Sequence, residues 1–596
     1  MTIYKAPLRD YRFVMTELFD VSELAKLPGY EEATPDLFES VIEEGAKLCE
    51  EVLLPLNRSG DEEGCHFENG VVRTPKGFKQ AYDTFRQGGW TALGCEPEHG
   101  GQGLPRTLHT FVEEMICATN LAFGMYPGLS YGAYNAIKEH ASDALKRRYL
   151  PKLADGTWTG TMCLTEPQCG TDLGQIRTKA EPAGDGVYKI TGTKIFISAG
   201  EHDLADNILH LVLAKIPGGP PGTRGISLFL VPKFLVKEDG ALGPRTGMRC
   251  GSIEHKMGIK ASSTCVMNLD GAESYLVGEP HKGMRAMFTM MNAARLGVGI
   301  QGLGIGEAAY QTARAYANER LQGRSVAGTK FPEKPADPII VHPDVRRMLL
   351  TMRAWTEGAR ALAAWVAIEL DKSRKHPDPA EREAADDFVS LLTPVVKAMF
   401  TDNGYACANL GMQVMGGHGY IREWGMEQLV RDCRITQIYE GTNGIQALDL
   451  VGRKLPSHMG RLLRRFFHPV DAYIRARLEK PELAEFVLPL AKAFGRLQQA
   501  SALIAQKGFA DPEEAAAAAT DYLRLFGLTA YAFLWTRMAE IAMGRAQGDG
   551  ADAAFYKGKL ATAHFFMTKL LPESTSLFAQ ISAGAKPLMA LEAEAI

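Results

Sequence analysis

The 596-residue sequence predicts an α+β protein in which helical domains flank a middle β domain. Apolar residues recur at helical spacing before about residue 158 and again after 283, whereas short strand-like runs between Gly- and Pro-rich loops fill the segment between them. Helical patterns then continue to the end of the chain. We therefore expect five parts: an N-terminal extension (1–35), a helical domain (36–158), a β domain (159–283), a helical bundle (284–454) and an additional C-terminal helical domain (461–596).

The first helical domain is predicted to begin at Thr34-Pro35-Asp36, because proline is favoured at an early helix position. An apolar stripe follows at Phe38, Val41, Ile42, Leu48 and Val52.

In the β domain, VYKI, TG and TKIFIS (residues 187–198) predict a strand, a two-residue turn and a second strand. The runs NILHLVLAKI, GISLFLVP and CVMNLDG continue the strand pattern. Since side chains alternate along a strand, Phe196 and Ser198 should share one face, with Ile195 and Ile197 on the other. The first face would offer an aromatic ring and a hydroxyl to a ligand.

Three long helical patterns follow, and a four-helix bundle would bury their apolar faces. The first contains Gly297–Gly302, which satisfies the GxGxxG pattern of dinucleotide-binding folds. That pattern requires a preceding strand, and the preceding residues are helical in pattern. Small residues that let two helices pack closely explain it better. LPSHMG, from Leu455 to Gly460, is typical of a linker.

The stretch from Arg431 to Gln446, RDCRITQIYEGTNGIQ, places one carboxylate, Glu440, between the apolar Ile438-Tyr439 pair and a flexible turn. Apolar surroundings raise the pKa of a carboxyl group toward the working pH and make it a better general base. Gly441 would let a ligand approach the backbone N–H groups. The residues alone leave a second interpretation open, a helix end capped by Gly or Asn.

Four segments resemble the acyl-CoA dehydrogenase family: QIYEGT around Glu440, TMCLTEPQCGTDLG (Thr161–Gly174), TGTKIFISAG (Thr191–Gly200) and QVMGGHGY (Gln413–Tyr420). They occur in the family's order, and the resemblance covers roughly residues 40 to 452. It implies the acyl-CoA dehydrogenase-like arrangement of helical domain, middle β domain and four-helix bundle.

The resemblance implies FAD-dependent α,β-dehydrogenation of an acyl-CoA thioester. Glu440 would remove the α-proton while hydride leaves the β-carbon for the flavin, and electrons would then pass to an electron-transferring flavoprotein. The backbone N–H of Glu440 would donate to the thioester oxygen, as in an oxyanion hole. Some relatives carry the base on an earlier helix, at the position of Ala294, which cannot take a proton. Glu440 is therefore without a rival.

The resemblance also assigns binding residues. The predicted FAD contacts are Met162, Leu164, Thr165, Gly170, Thr171, Phe196, Ser198, Arg320, Gln413, Gly416, Gly417, Thr442 and Asn443. The predicted substrate contacts are Thr171, Arg295, Tyr439 and Gly441.

Arg320 would meet the pyrophosphate of FAD across a dimer interface, so a homo-oligomer of at least two chains is expected. The chain reads RLQG from Arg320 to Gly323 where relatives commonly have RxxFG, and this departure puts the adenine-side contacts in doubt. His418 lacks a second ligand at metal spacing, so we expect a turn or packing histidine and no metal site.

Long bacterial relatives with the segment HPDVRRML (His342–Leu349) resemble the 3-methylmercaptopropionyl-CoA dehydrogenases of dimethylsulfoniopropionate (DMSP) breakdown, whose product is methylthioacryloyl-CoA. The expected substrate is 3-methylmercaptopropionyl-CoA, a short sulfur-containing thioester, and an ordinary fatty acyl-CoA is the alternative. Other rivals are an acyl-CoA oxidase, a scaffold protein on the same fold and a DNA-binding alkylation-response flavoprotein. Residues 461–596 contain 16 Lys and Arg against 14 Asp and Glu, which argues against DNA binding.

Composition agrees with a large soluble enzyme. The net charge of −4 predicts no general attraction to nucleic acid or anionic membranes. No apolar run reaches the roughly 18 residues that a spanning helix needs, and the N-terminus lacks the features of a secretory signal. Ten cysteines without a CxxC pair fit a reducing compartment. We expect a cytoplasmic protein.

Overall fold

The computed structural model describes residues 2–596, which form two compact units. The helical unit takes in the chain up to Glu44, Arg106–Glu114 and Val298–Ile596. The strand unit comprises Gly45–Pro105 and Met115–Gly297. Met1, which belongs to the predicted N-terminal extension, lies outside the described residues. The α+β class predicted from the sequence is confirmed.

Sixteen α-helices and eleven strands are found among residues 2–596. The helices are α1 (Leu8–Arg12), α2 (Pro35–Leu48), α3 (Leu54–Glu63), α4 (Phe78–Gln87), α5 (Arg106–His140), α6 (Asp143–Ala154), α7 (Gly283–Glu319), α8 (Pro343–Lys375), α9 (Pro379–Met415), α10 (Met426–Arg434), α11 (Asn443–Asp449), α12 (Arg461–Arg475), α13 (Ala484–Ala510), α14 (Pro512–Met543), α15 (Ala551–Phe565) and α16 (Glu573–Ala583). The strands are β1 (His66–Glu68), β2 (Val71–Arg73), β3 (Trp158–Cys163), β4 (Lys179–Gly184), β5 (Val187–Ser198), β6 (Asn207–Lys215), β7 (Ile226–Pro232), β8 (Phe234–Val236), β9 (Leu242–Arg245), β10 (Met248–Ile253) and β11 (Thr264–Val277).

In the strand unit, five strands form a closed ring in which β11 pairs with β5, β5 with β4, β4 with β6, β6 with β7, and β7 with β11. Strand β3 pairs in parallel with β6, and β10 extends the sheet beside β11. Closing the ring removes the unpaired edges that an open sheet would expose. Apolar side chains from these strands form one core, whose fully buried members include Ile190, Val212, Ala214, Phe229, Val231, Cys265 and Ala272.

The two-residue turn predicted at Thr191-Gly192 is wrong, because β5 runs without a break from Val187 to Ser198. Gly192 lies inside the strand, where a Cβ atom would stand 2.4 Å from Thr178 Oγ1. The glycine thus serves close approach of the Thr178 segment, and a glycine inside a strand commonly has that meaning.

In the helical unit, the GxGxxG segment lies within helix α7, as the small-residue interpretation predicted. A Cβ atom at Gly299 would stand 2.8 Å from Val396 Cγ1, and one at Gly302 would stand 2.5 Å from the Phe400 carbonyl oxygen. These glycines therefore let α7 and α9 pack backbone against backbone.

Helix α14 of the additional C-terminal domain packs on the bundle. Its Trp535 donates a hydrogen bond to the Ala354 carbonyl of α8 at 3.2 Å, and a Cβ atom at Gly527 would stand 2.8 Å from Met399 Sδ of α9. Before this domain, the predicted linker breaks the helical path, since His458 and Met459 both have left-handed backbone conformations.

Within the helical unit, a buried ion network joins the N-terminal extension to other helices. Arg360 of α8 donates to Asp10 at 2.5 Å, to Glu114 at 2.6 Å and to Glu307 at 2.9 Å. Lys559 of α15 bonds the same Asp10. Buried charges require such partners, and this network ties four helices to the extension. No helix among residues 2–596 combines the length and apolar character needed to cross a bilayer.

Candidate active site

The segment that carries Glu440 is a tight turn between a 3₁₀ turn (Ile435–Gln437) and helix α11. Glu440 and Gly441 have positive φ angles of 58° and 89°. A side chain in this left-handed conformation is disfavoured, and it persists only where neighbouring groups hold it. The Thr442 side chain then caps α11 by accepting the Ile445 N–H at 3.4 Å. The turn therefore presents the half-buried Glu440 from a strained backbone.

Two glutamines support this turn. Gln446 donates its side-chain N–H to the Glu440 carbonyl at 3.0 Å, and the Tyr439 hydroxyl donates to the side-chain oxygen of Gln301 on α7. Neither glutamine is among the residues that the sequence predicts for the site. A fully buried amide such as Gln446 needs a partner, but only the structure reveals which carbonyl it bonds.

Asn443, a predicted FAD contact, uses its side chain inside the helical unit. Its amide nitrogen donates to Asp402 at 2.7 Å and to Thr401 at 3.0 Å. Its oxygen accepts a 2.8 Å hydrogen bond from Lys397. The side chain thus anchors the turn to α9, and a cofactor contact stays a prediction for Asn443 and for the exposed Thr442.

In the strand unit, a buried ion pair fixes the loop that was predicted to contact the flavin. Lys194 of β5 bonds Glu166 at 2.8 Å and the Leu164 carbonyl at 3.0 Å. Glu166 also accepts from Thr178 Oγ1 at 2.6 Å. Burial alone would raise the pKa of Glu166, but Lys194 and these donors outweigh it and lower the pKa to about 2. The sequence did not predict the Lys194–Glu166 pair, because local pattern does not predict contacts between distant residues.

A backbone hydrogen bond also joins the two segments that carry the predicted flavin contacts Thr165 and Phe196. The Ile195 N–H donates to the Thr165 carbonyl at 2.9 Å. Here β5 has a bulge. Between the pairs Lys194–Met267 and Ile197–Cys265, two residues of β5 face a single residue of β11. Phe196 takes a φ of 58° and remains 60% exposed. Bulges re-aim side chains next to functional sites.

The bulge modifies the simple alternation predicted for this strand. Ile197 is buried as expected, whereas Ile195 is only half-buried. Ser198 is half-buried opposite Thr264 of β11. Met162 of β3 and Leu164, which follows the strand, pack partly buried on the core, while Gly170 and Thr171 of the loop are exposed.

The remaining predicted FAD contacts lie at one end of the bundle, where α7 and α9 terminate. Arg320 follows α7 and is exposed, as are Gln413, Gly416 and Gly417 at the end of α9. A Cβ atom at either glycine would meet nothing within 4 Å, so a ligand can reach this backbone. His418 bonds the Tyr316 hydroxyl at 2.8 Å, as a packing histidine would.

Arg295 lies on the part of α7 that belongs to the strand unit. It is buried, and its guanidinium approaches Asn292 at 3.5 Å and the Phe288 ring at 6.0 Å. These contacts agree with an anchoring role for Arg295, and contact with the substrate stays a prediction.

Comparison with known proteins identifies the family. Family models of the acyl-CoA dehydrogenase N-terminal, middle and C-terminal domains match residues 38–157, 161–272 and 281–455. A fourth model, described as acetyl-CoA dehydrogenase C-terminal like, matches residues 466–592. The chain belongs to the acyl-CoA dehydrogenase family. It is therefore a flavin-dependent oxidoreductase of acyl-CoA thioesters, and the predicted family, activity and FAD cofactor are confirmed.

Two full-length relatives are similar to this acyl-CoA dehydrogenase. The 3-methylmercaptopropionyl-CoA dehydrogenase of Ruegeria pomeroyi is 43% identical over 97% of this chain and 98% of its own. A butyryl-CoA dehydrogenase of Syntrophomonas wolfei is 34% identical over 96% of this chain and 95% of its own. The fold also matches an acyl-CoA dehydrogenase of Bacillus anthracis solved with FAD, with a TM-score of 0.73, 22% identity and coverage of 96% and 90%.

The chemistry of the predicted FAD contacts fits that cofactor. A flavin presents a flat aromatic ring with a polar edge. The strand unit offers the exposed Phe196 ring and the Ser198 hydroxyl on β5, and Thr165 on the loop whose backbone bonds Ile195 of the same strand. A pyrophosphate requires cationic partners, and the end of the bundle offers the exposed Arg320 guanidinium. The exposed Gly416 and Gly417 at the same end carry no side chain that would block a ligand.

Proposed function

We propose that this enzyme dehydrogenates 3-methylmercaptopropionyl-CoA to methylthioacryloyl-CoA. The observation that carries the proposal is the 43% identity to the Ruegeria pomeroyi enzyme of that name, which extends over nearly the whole of both chains. The alternative is a straight-chain substrate, and the 34% identity to a butyryl-CoA dehydrogenase supports it more weakly. An enzyme that acts on 3-methylmercaptopropionyl-CoA would take part in DMSP breakdown, whereas one that acts on a straight-chain substrate would not.

In the proposed reaction, Glu440 is the general base that takes the α-proton of the thioester. The Glu440 N–H and carboxylate lie on a left-handed turn next to Gly441, whose missing side chain makes room for the Gln446 amide that bonds the Glu440 carbonyl. The Glu440 N–H would donate to the thioester oxygen as negative charge develops there. A single donor of this kind contributes roughly 3 kcal/mol. FAD, when bound, supplies the acceptor for the two electrons and the hydrogen that leave the β-carbon.

The remaining predicted residues would bind FAD and the thioester and orient them for the reaction. Phe196, Thr165 and Ser198 would pack against and hydrogen-bond the flavin ring, with Met162, Leu164, Gly170 and Thr171 completing that contact. Arg320, Gln413, Gly416 and Gly417 would bind the FAD of a second copy, so the active enzyme would be at least a dimer. Tyr439 and Gly441 would line the thioester site, and Arg295 would anchor its wall.

We further propose that an electron-transferring flavoprotein accepts the electrons, and that the enzyme works in the cytoplasm. The family membership supports the first proposal. An acyl-CoA oxidase would instead be reoxidised by air, so rates of reoxidation by oxygen and by an electron-transferring flavoprotein separate the two.

A panel of acyl-CoA thioesters tests the substrate. The purified enzyme is mixed anaerobically with 3-methylmercaptopropionyl-CoA, butyryl-CoA or octanoyl-CoA, and bleaching of the flavin absorbance is followed. We expect the methylthio compound to give the highest ratio of the flavin reduction rate constant to the substrate dissociation constant. A straight-chain thioester reacting at least ten times faster would assign this chain to fatty acid oxidation.

A further inference from the structure

Three residues of α9 form hydrogen bonds with the turn that carries Glu440. They are Lys397, Thr401 and Asp402. Lys397 is completely buried. Its ammonium donates to the Gly441 carbonyl and to Asn443 Oδ1, both at 2.8 Å. One of these acceptors belongs to the residue directly after Glu440.

Asp402 accepts hydrogen bonds from two residues of the same turn. Its Oδ1 atom accepts from Gln437 Nε2 at 2.6 Å and from Asn443 Nδ2 at 2.7 Å. Gln437 stands three residues before Glu440 and Asn443 three residues after it. A single carboxylate oxygen therefore fixes both ends of the turn.

Three observations indicate that these contacts serve the position of Glu440. First, a buried ammonium is costly, and an apolar side chain would often stabilise a helix interface equally well. Second, the bonds of Lys397 and Asp402 described above all end within three residues of Glu440. Third, the positive φ of Glu440 needs surrounding contacts to hold it.

We infer that Lys397 and Asp402 are positioning residues for the general base, which they hold in its left-handed conformation through Gln437, Gly441 and Asn443. This inference rests on the proposed role of Glu440. Neither side chain needs to touch the substrate, so each acts through the backbone of the turn. A displacement of a reacting group by about 1 Å can lower a rate about 10²-fold.

Lys397→Met and Asp402→Ala test the inference in the FAD-loaded enzyme. Single-turnover flavin reduction should slow about 10²-fold in Lys397→Met and at least about 10-fold in Asp402→Ala. FAD content, melting temperature and the dissociation constant of a non-reactive thioether analogue of the substrate should stay close to the parent values. Lys372→Met and Asp344→Ala, both on α8, are matched controls that should react at the parent rate.

The combination with Glu440→Gln separates positioning from general support of the fold. If Lys397 acts only through the base, Lys397→Met should slow the residual reaction of Glu440→Gln no further. A loss of the same size in both backgrounds, or parent rates in both single variants, would overturn the inference. If Glu440→Gln by itself reacts like the parent, the proposed base is wrong, and that result is distinct from a failure of the positioning residues alone.

A milder variant decides the matter if Lys397→Met does not fold. Gln437→Leu removes one bond to Asp402 and introduces no buried charge. We expect it to keep FAD and to reduce its flavin several-fold more slowly than the parent. A Gln437→Leu enzyme with the parent rate would then overturn the inference.

Discussion

The Lys194 ammonium lies 2.8 Å from Glu166 Oε1, and both side chains are buried in the strand unit. This pair joins the loop after β3 to strand β5, so the loop carrying Thr165 is fixed beside the strand carrying Phe196. The positions of Thr165 and Phe196 relative to each other therefore depend on an ion pair between residues 28 positions apart in the chain.

Glu166→Gln should lower stability in a pH-dependent manner. The pKa of Glu166 falls from its ordinary value near 4.5 to about 2, so its contribution is complete above the unfolded pKa and disappears as the pH falls through about 2. At pH 7 the loss should be about 3 kcal/mol for the strand unit. Acid unfolding followed by circular dichroism should show a shallower decline between about pH 4.5 and 2 in the variant. The exposed Glu181→Gln is the control, and identical acid profiles for Glu166→Gln and the parent would refute the assignment.

Gly441→Ala should displace the Glu440 turn. The φ of 89° disfavours alanine, and the new Cβ would lie 2.6 Å from Gln446 Nε2, the group that bonds the Glu440 carbonyl. The strain of about 1–3 kcal/mol should be relieved by movement of the turn, with at least a 10-fold slower flavin reduction. Gly444→Ala is a close control, because its Cβ would meet nothing within 4 Å. Equal rates for the two variants would show that the turn tolerates a side chain at Gly441.

Arg320→Ala should lose FAD while keeping its fold. A hydrogen bond to a charged group contributes about 1.5–3 kcal/mol, so FAD affinity should fall about 10- to 100-fold. Flavin fluorescence after gel filtration measures the bound fraction, and far-UV circular dichroism checks the helices. Arg314→Ala, an exposed position on the preceding helix α7, should retain FAD. Unchanged FAD affinity in Arg320→Ala would mean that another residue contacts the pyrophosphate.

Local pattern predicted the features that depend on local forces. The runs of β-branched and apolar residues located β6 and β7, and the helical context of Gly299 and Gly302 excluded a dinucleotide-binding loop. The Thr191-Gly192 turn was predicted wrongly, because glycine there serves a close approach to Thr178 that depends on tertiary structure.

The supporting residues of the site could not be predicted in the same way. Lys397 and Gly441 are 44 positions apart, and no periodicity relates a helix lysine to a distant carbonyl. The bulge at Phe196 arises from strand pairing with β11, which the sequence of β5 alone does not specify. The proposed base, Glu440, was assigned through the resemblance of its motif, since the residues around it also fitted a helix end.

The most direct test of the central claim is the rate of flavin reduction by Glu440→Gln in anaerobic single-turnover mixing with 3-methylmercaptopropionyl-CoA. Glutamine keeps the shape of the side chain but cannot accept the α-proton, and Ala294 offers no substitute base. We predict a loss of about 10²- to 10⁴-fold, with FAD content and thioester binding retained and with the exposed Glu381→Gln at the parent rate. A Glu440→Gln enzyme that bleaches its flavin within a few-fold of the parent rate would contradict the account.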